Sequence, residues 1–481
     1  MKLRPETALT FDDVLLVPKH SDIRSRSAVS ASSLLTAGIR LHIPLISANM
    51  DTVTETRMAI TMAQQGGMGI LHRFMSSAQQ AECVRKVKRA ESLVVTDPVT
   101  IPVDALVSEA RVRMAETGVG GLMVVDAERR LVGLITTRDL LLANGGSKPL
   151  KEYMTPLDRL VVADQNESME EARAKLHQHR IEKLPLLDHD GRIVGLITAQ
   201  DIVKIQEHPH ATKDNRGRLR VGAAVGVRAD DLERAGLCVE AGVDVLVVDI
   251  AHGHSDHTLK MVEQLKKAFP STPVIAGNVA TGDGVKDLAS AGADAVKVGV
   301  GSGSICITRI VTGFGVPQLT AIMDCAEVGH KLGVPIIADG GLRTSGDLTK
   351  ALAAGASTVM VGSLLAGTEE SPGVPIVRQG RRYKVVRGMA SLTANVERRK
   401  IDKGGEVSDE DWGEVVPEGV EAMVPYRGSA AEILYQLVGG LRSGLSYAGA
   451  HSIPELWEKA EFVRITGAGM KESGPHDVET V

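Results

Sequence analysis

The chain has 481 residues, 43% of them hydrophobic and 24% charged, with a formal net charge of −5. Its length exceeds one ordinary domain and points to two, and the near-balanced charge gives no sign of a nucleic-acid or membrane surface. Fifty glycines beside two Trp, five Tyr and five Phe imply many tight turns around a Val, Ile, Leu and Ala core, as in a parallel α/β protein. The opening stretch MKLRPETALTFDDVLLVPKH holds no apolar block of signal-peptide length, and no run is long and apolar enough to span a membrane. Cys83, Cys238, Cys306 and Cys325 show no CxxC or zinc-ligand spacing, so a reduced, cytoplasmic setting is expected.

Two short apolar runs come first, IPLISANMD and GGMGILHR, each ending in a loop and followed by a helical pattern, the second over about 79–92. An internal repeat follows. The stretch 123-MVVDAERRLVGLITTRDLL-141 recurs as 185-PLLDHDGRIVGLITAQDIV-203, with Asp126 and Asp188, Gly133 and Gly195, and Asp139 and Asp201 each 62 apart. Each copy reads as strand, turn, strand and a helix opened by Thr-x-x-Asp. The two copies occupy about 94–206 and resemble a pair of cystathionine-β-synthase (CBS) domains, modules that often bind adenine or guanine nucleotides. A purely structural insert is the alternative.

Beyond the insert come RVGAAVGV, DVLVVDIAHG, PVIAGNVAT, AVKVGVGSG, PIIADGG and TVMVGSLLAG. With the first two runs they make eight apolar segments alternating with helices, which predicts a (β/α)₈ barrel, divided by the insert into residues 1–93 and 207–481. A barrel places its chemistry at the C-terminal ends of its strands. Here those ends carry Asn49, Asp51, Asp249, Asn278, the 299–303 glycine loop, Asp339-Gly340-Gly341 and Gly362-Ser363.

Ser304, Gly341, Gly362 and Ser363 follow strands six, seven and eight, where barrels often hold a phosphate on backbone N–H groups; left-handed turns would demand the same glycines. Asp339 could accept both hydroxyls of a ribose, and together these suggest a nucleoside monophosphate. Cys306 lies in the longest βα connection, 299-GVGSGSICITRIVTGFGVPQ-318, with Thr308 offering a hydroxyl for proton traffic. A lone cysteine is more often structural, but this loop favours a nucleophile. Cys238 and Cys325 fall in apolar helical segments and read as core.

The loop just quoted, with IIADGGLRTSGD, VMVGSLLAGTEESPG, RGMAS and the insert, resembles the IMP dehydrogenase/GMP reductase family over essentially the whole chain. The resemblance implies that Cys306 attacks carbon 2 of a purine nucleotide to form a thioimidate, with hydride passing to or from a nicotinamide. It further implies that Ser304, Asp339, Gly340, Gly341, Gly362 and Ser363 hold phosphate and ribose, and that Gly388 and Met389 meet the base. Asp249, Asn278, Gly299 and Gly301 would face the cofactor. Backbone carbonyls of Gly301, Gly303 and Cys306, with Glu472, Ser473 and Gly474 of a neighbouring copy, would bind potassium. Asp139 and Asp201 would hold regulatory ATP or GTP, and tetramers stacking into octamers are expected.

Two reactions share this family pattern. The dehydrogenase hydrolyses its thioimidate with an Arg-Tyr pair on a mobile flap; the reductase expels ammonia from GMP and needs no activated water. The flap here, about 390–418, contains no tyrosine. Val386 replaces a tyrosine typical of dehydrogenases, and SANMDTV and Ala251 lean the same way. These features imply a GMP reductase using NADPH (or NADH), with Thr308 and Glu418 shuttling the proton. A dehydrogenase using NAD and Arg398 or Arg399 is the runner-up, and a catalytically silent nucleotide sensor is the third reading.

Overall fold

The computed structural model describes residues 3–91, 95, 98–143, 146–165, 167–200, 207–402 and 416–475. Asp201 and Trp412, together with the Arg399 side chain, lie outside the described residues. The chain divides into two compact units, one comprising 1–90, 210–214 and 219–481, the other 91–209 and 215–218.

The first unit is a closed barrel of eight parallel strands. They are β1 (Leu45–Ser47), β2 (Met68–Leu71), β3 (Val221–Val225), β4 (Val245–Asp249), β5 (Val274–Val279), β6 (Ala295–Val298), β7 (Ile336–Asp339) and β8 (Thr358–Val361). All eight apolar runs read from the sequence supply one strand each. The intervening helices are α1 (Thr56–Gln64), α2 (Ser77–Ala90), α3 (Ala229–Glu240), α4 (Asp256–Ala268), α5 (Gly282–Ser290), α6 (Gln318–Leu332), α7 (Ser345–Ala353) and α8 (Ala430–Ala448).

Strand alternation sorts the side chains. Ile46, Ile70, Val247, Ala295, Ile337 and Met360 pack inside the barrel. Val296, Val298 and Val248 face the helices, where they pack with Leu265, Ala321 and Cys325. A hairpin of Ser33–Thr36 and Ile39–Leu41 plugs the N-terminal end, placing Leu35, Ile39 and Leu41 against that interior. The opposite, C-terminal end is left for chemistry. After β8 an antiparallel sheet of Ile376–Arg378, Arg381–Arg387 and Glu421–Pro425 rises. It was not expected from the sequence, because its half-exposed strands interleave charged and apolar residues as a loop would.

The second unit shows the repeat in three dimensions. Gly121–Val125 pairs with Leu131–Thr136, and Lys183–Leu187 with Ile193–Thr198. Val124 opposes Gly133 where Leu186 opposes Gly195. Asp126 accepts from the Glu128 and Arg130 N–H groups as Asp188 does from those of Asp190 and Arg192. These equivalent turns have one cause, an Asp side chain bonding its backbone two residues on. Asp139 Oδ2 accepts from the Thr136 N–H at 2.8 Å and hydroxyl at 2.7 Å, the capping pattern expected of Thr-x-x-Asp. Among the described residues no helix is long and apolar enough to cross a membrane.

Candidate active site

Val247, Ala295 and Ile337 pack in the barrel interior, and two residues further along the same faces come Asp249, Lys297 and Asp339. A charged layer therefore caps the apolar interior at the C-terminal end. Lys297 is 2% exposed at its side chain. Its three ammonium protons find Asp249 Oδ1 at 2.7 Å, Asp339 Oδ2 at 2.7 Å and Asn278 Oδ1. Burial alone would discharge this amine, but the two carboxylates outweigh it and hold its pKa above the ordinary lysine value. Burial likewise opposes the Asp249 charge, yet Lys297 and the Asn49 amide (2.9 Å to Oδ2) keep its carboxyl below the usual aspartate value. Asn278 reaches inward because the β5–β6 register shifts between Gly277 and Val279. Its amide donates to the Gly299 carbonyl at 2.8 Å and to Asp339 Oδ2 at 3.0 Å.

Above this layer lies a cleft of about 450 Å³, within the range of small-molecule sites. It gathers Asp249, Asn278, Gly299, Gly301, Gly303, Cys306, Thr308, Asp339, Gly340, Gly388, Met389 and Glu418. Residues brought together here come from β4, β5, β6, β7 and the two ends of the flap.

The Cys306 loop owes its path to Arg309. Its guanidinium donates to the Val316 carbonyl at 2.6 Å and the Val300 carbonyl at 3.4 Å, drawing the two ends of the loop together. The Arg309 stem fills the space beside Gly301 and Gly315, both at positive φ, so a Cβ on either would fall 2.5–2.6 Å from Arg309 Cγ. Only glycine fits there. Within the loop the Cys306 sulfur lies 3.1 Å from the Thr308 hydroxyl.

The flap returns onto this loop. Ile307 N–H donates to the Glu418 carbonyl at 2.8 Å and Val420 N–H to the Ile305 carbonyl at 3.0 Å, while Cys306 faces Gly419 in an antiparallel bridge. Gly388 N–H donates to Val420 and Glu418 N–H to Ala390. Residues 388–390, 418–420 and 305–307 are thus stitched edge to edge, which brings Met389 and Glu418 into the cleft that Cys306 lines. The helix Leu392–Asp402 adds Asn395 and Arg398 to the cleft wall. Arg387 anchors it, donating from Nε to Asp51 at 2.8 Å and pairing also with Glu397. Val386, buried in the strand before it, opposes Ala422.

Ser304, Gly341, Gly362 and Ser363 do not line the cleft. Ser304 is exposed; a Cβ on Gly341 would point at Phe11 and Gln318, and one on Gly362 at Ala48 and Met50. Glu472, Ser473 and Gly474 end the short helix Gly467–Glu472 and are not part of the wall. Asp51 is taken up by Arg387 instead of facing the cleft. The sequence reading missed Lys297 and Arg73, both of which line it. The available signal for Lys297 was a lysine inside an otherwise apolar strand, in a barrel whose β4 and β7 end in Asp. Cys238 and Cys325 are buried as expected, and burial pushes their thiols up to about 11 and about 12. No cluster of three or more His, Cys, Asp or Glu suited to a metal occurs among the described residues.

The donor set suits a nicotinamide nucleotide beside a purine. The carboxylate and carboxamide groups of Asp249, Asn49 and Asn278 and the Arg73 guanidinium line the same cleft as the Cys306 thiol.

Comparison with known proteins agrees with this geometry. Residues 8–476 match the model of the IMP dehydrogenase / GMP reductase domain. The chain is 55% identical over 470 residues to an inosine-5'-monophosphate dehydrogenase of Nitrosopumilus maritimus, covering 98% of each. It is 51% identical over 480 residues to a GMP reductase of Leishmania major, covering 98% of this chain and 97% of that one. Among solved structures, a Trypanosoma brucei GMP reductase variant in complex with guanosine 5'-monophosphate aligns with a TM-score of 0.91 at 47% identity, covering 98% of both chains. The chain belongs to the IMP dehydrogenase/GMP reductase family, oxidoreductases that act on purine nucleotides with nicotinamide cofactors.

Proposed function

We propose that this protein is a GMP reductase, converting GMP, NADPH and protons to IMP, NADP⁺ and ammonium. The observation that carries this reading is the absence of any tyrosine from residues 390–418, while Thr308 and Glu418 share the cleft with Cys306. Cys306 attacks carbon 2 of the purine, and the 2-amino group departs as ammonia with a proton delivered through Thr308 and Glu418. NADPH supplies the hydride, and the thiolate leaves as carbon 2 is reduced. No step calls for an activated water, so no Arg-Tyr pair is needed.

Asp339 takes the ribose in this reading, and Gly340 takes the phosphate with Ser304, Gly341, Gly362 and Ser363, which lie outside the cleft lining. Gly388 and Met389 contact the base. Asp249, Asn278, Gly299 and Gly301 face the cofactor. A potassium ion would use the carbonyls of Gly301, Gly303 and Cys306 with Glu472, Ser473 and Gly474 of a neighbouring copy, in a tetramer or octamer. Residues 94–206 serve as a tandem CBS module, with Asp139 and Asp201 on the riboses of regulatory ATP or GTP. A Trypanosoma brucei GMP reductase in complex with guanosine 5'-triphosphate, aligned at a TM-score of 0.80 and 43% identity, supports binding of a purine triphosphate by this chain.

A second reading has one observation in its favour. Arg398 reaches the cleft from the flap helix, where it could activate water for an IMP dehydrogenase. Paired assays with potassium, following absorbance of the reduced nicotinamide, separate the two. Loss of signal with GMP and NADPH, and no gain with IMP and NAD, establishes the reductase. A gain with IMP and NAD alone establishes the dehydrogenase.

A further inference from the structure

The Lys297 ammonium is used up by the protein. Its three donors meet three acceptors, its side chain is 2% exposed, and nothing remains for a ligand. Yet it sits between the carboxylate assigned to the ribose and the one assigned to the cofactor. Both protein hydrogen bonds to the Asp339 carboxylate fall on Oδ2, from Lys297 and from Asn278, which leaves Oδ1 for a ligand. Asp249 is gripped at both oxygens, by Lys297 and Asn49. Two carboxylates drawn to one point in a barrel interior would repel, and one would take up a proton or turn away, unless a cation stood between them.

We propose that Lys297 is a positioning residue, which sets the acceptor geometry of the nucleotide site by holding Asp249 and Asp339 on a single ammonium. This rests on the reading of the cleft as a purine-nucleotide site. Lys297 acts through Asp339, so its effect falls on recognition of the ribose hydroxyls and spares the rest of the nucleotide.

Calorimetric titration of the full chain with GMP and with 2′-deoxy-GMP tests this. The wild type should prefer GMP by about tenfold or more, the value of a hydrogen bond to a charged acceptor. Lys297→Met should weaken GMP by about 10–100-fold and 2′-deoxy-GMP far less, so the preference collapses toward one. Lys297→Arg, which keeps the cation, should restore it. Should Lys297→Met not fold, the double variant Lys297→Met/Asp249→Asn removes one of the two carboxylates with the ammonium, and the same ratio is read there. Wild-type protein that binds neither nucleotide overturns the nucleotide reading, and this proposal with it. Wild-type binding with an unchanged ratio in the Met variants overturns the positioning role alone, as does an Arg variant as impaired as Met.

Discussion

The Thr308 hydroxyl stands 3.1 Å from the Cys306 sulfur, and both line the cleft with Glu418. In the proposed reductase reaction this hydroxyl passes the proton to the departing 2-amino group; Thr308 opens the five-residue helix Thr308–Thr312. Thr308→Val should lower turnover by about 10²–10⁴-fold, the range for loss of a general acid–base group. The thioimidate at Cys306 should still be trapped by a substituted purine nucleotide and seen by intact mass. A variant with near-normal turnover removes Thr308 from the proton path.

The cysteines should separate by pH. Burial holds Cys238 at about 11 and Cys325 at about 12, so at pH 8 roughly one in a thousand and one in ten thousand of these thiols is the reactive thiolate. In a Cys83→Ser background, iodoacetamide at pH 8 should label Cys306 alone in the folded protein, with GMP protecting it. Both raised thiols favour the folded state below the unfolded thiol value of about 8.5, and that stability is lost as pH rises toward their folded values. Peptide mapping checks the first expectation, and thermal melts across this range check the second.

Arg387 ties the loop after β1 to the flap helix through Asp51 and Glu397. The Asp51 side chain is 8% exposed, so Arg387→Met leaves a buried carboxylate without its cation. Urea unfolding should report a loss of about 2–3 kcal/mol, below the roughly 3–5 kcal/mol of a fully buried broken pair, since Arg387 is partly solvated. Hydrogen exchange should quicken over 392–402. Unchanged exchange there would mean that the helix is held by other contacts.

Gly301→Ala should injure the site and spare the fold. The new Cβ would lie 2.5 Å from Arg309 Cγ at a φ of +76°, displacing the arginine that draws the loop ends together. Turnover should drop by about tenfold or more, because a small misplacement of a reacting group is costly. The urea midpoint should move little, since the loop lies outside the barrel core. A large midpoint shift with normal turnover would contradict the assignment.

Much of this was legible in the sequence. Parallel strands buried on both faces read as near-continuous apolar runs, so PIIAD and TVMV announce themselves without reference to neighbours. Local hydrogen bonding is equally plain in one dimension: Asp126 and Asp188 cap matching turns, and Thr136 and Asp139 cap a helix, because the partners lie two to four residues apart. Cys306 and Thr308 could be paired for the same reason.

What only the tertiary structure decided involves partners distant along the chain. Glu418 comes to line the same cleft as Cys306 because 418–420 adds to the edge of 305–307, through backbone hydrogen bonds that no side chain in either segment encodes. Arg387 finds Asp51 across the top of the barrel in the same way. Lys297, a lone lysine in an apolar strand, gains its partners only when closure of the barrel sets it between two carboxylates. A buried charge is tolerable only with its partners around it, and strand register in the closed sheet supplies those partners.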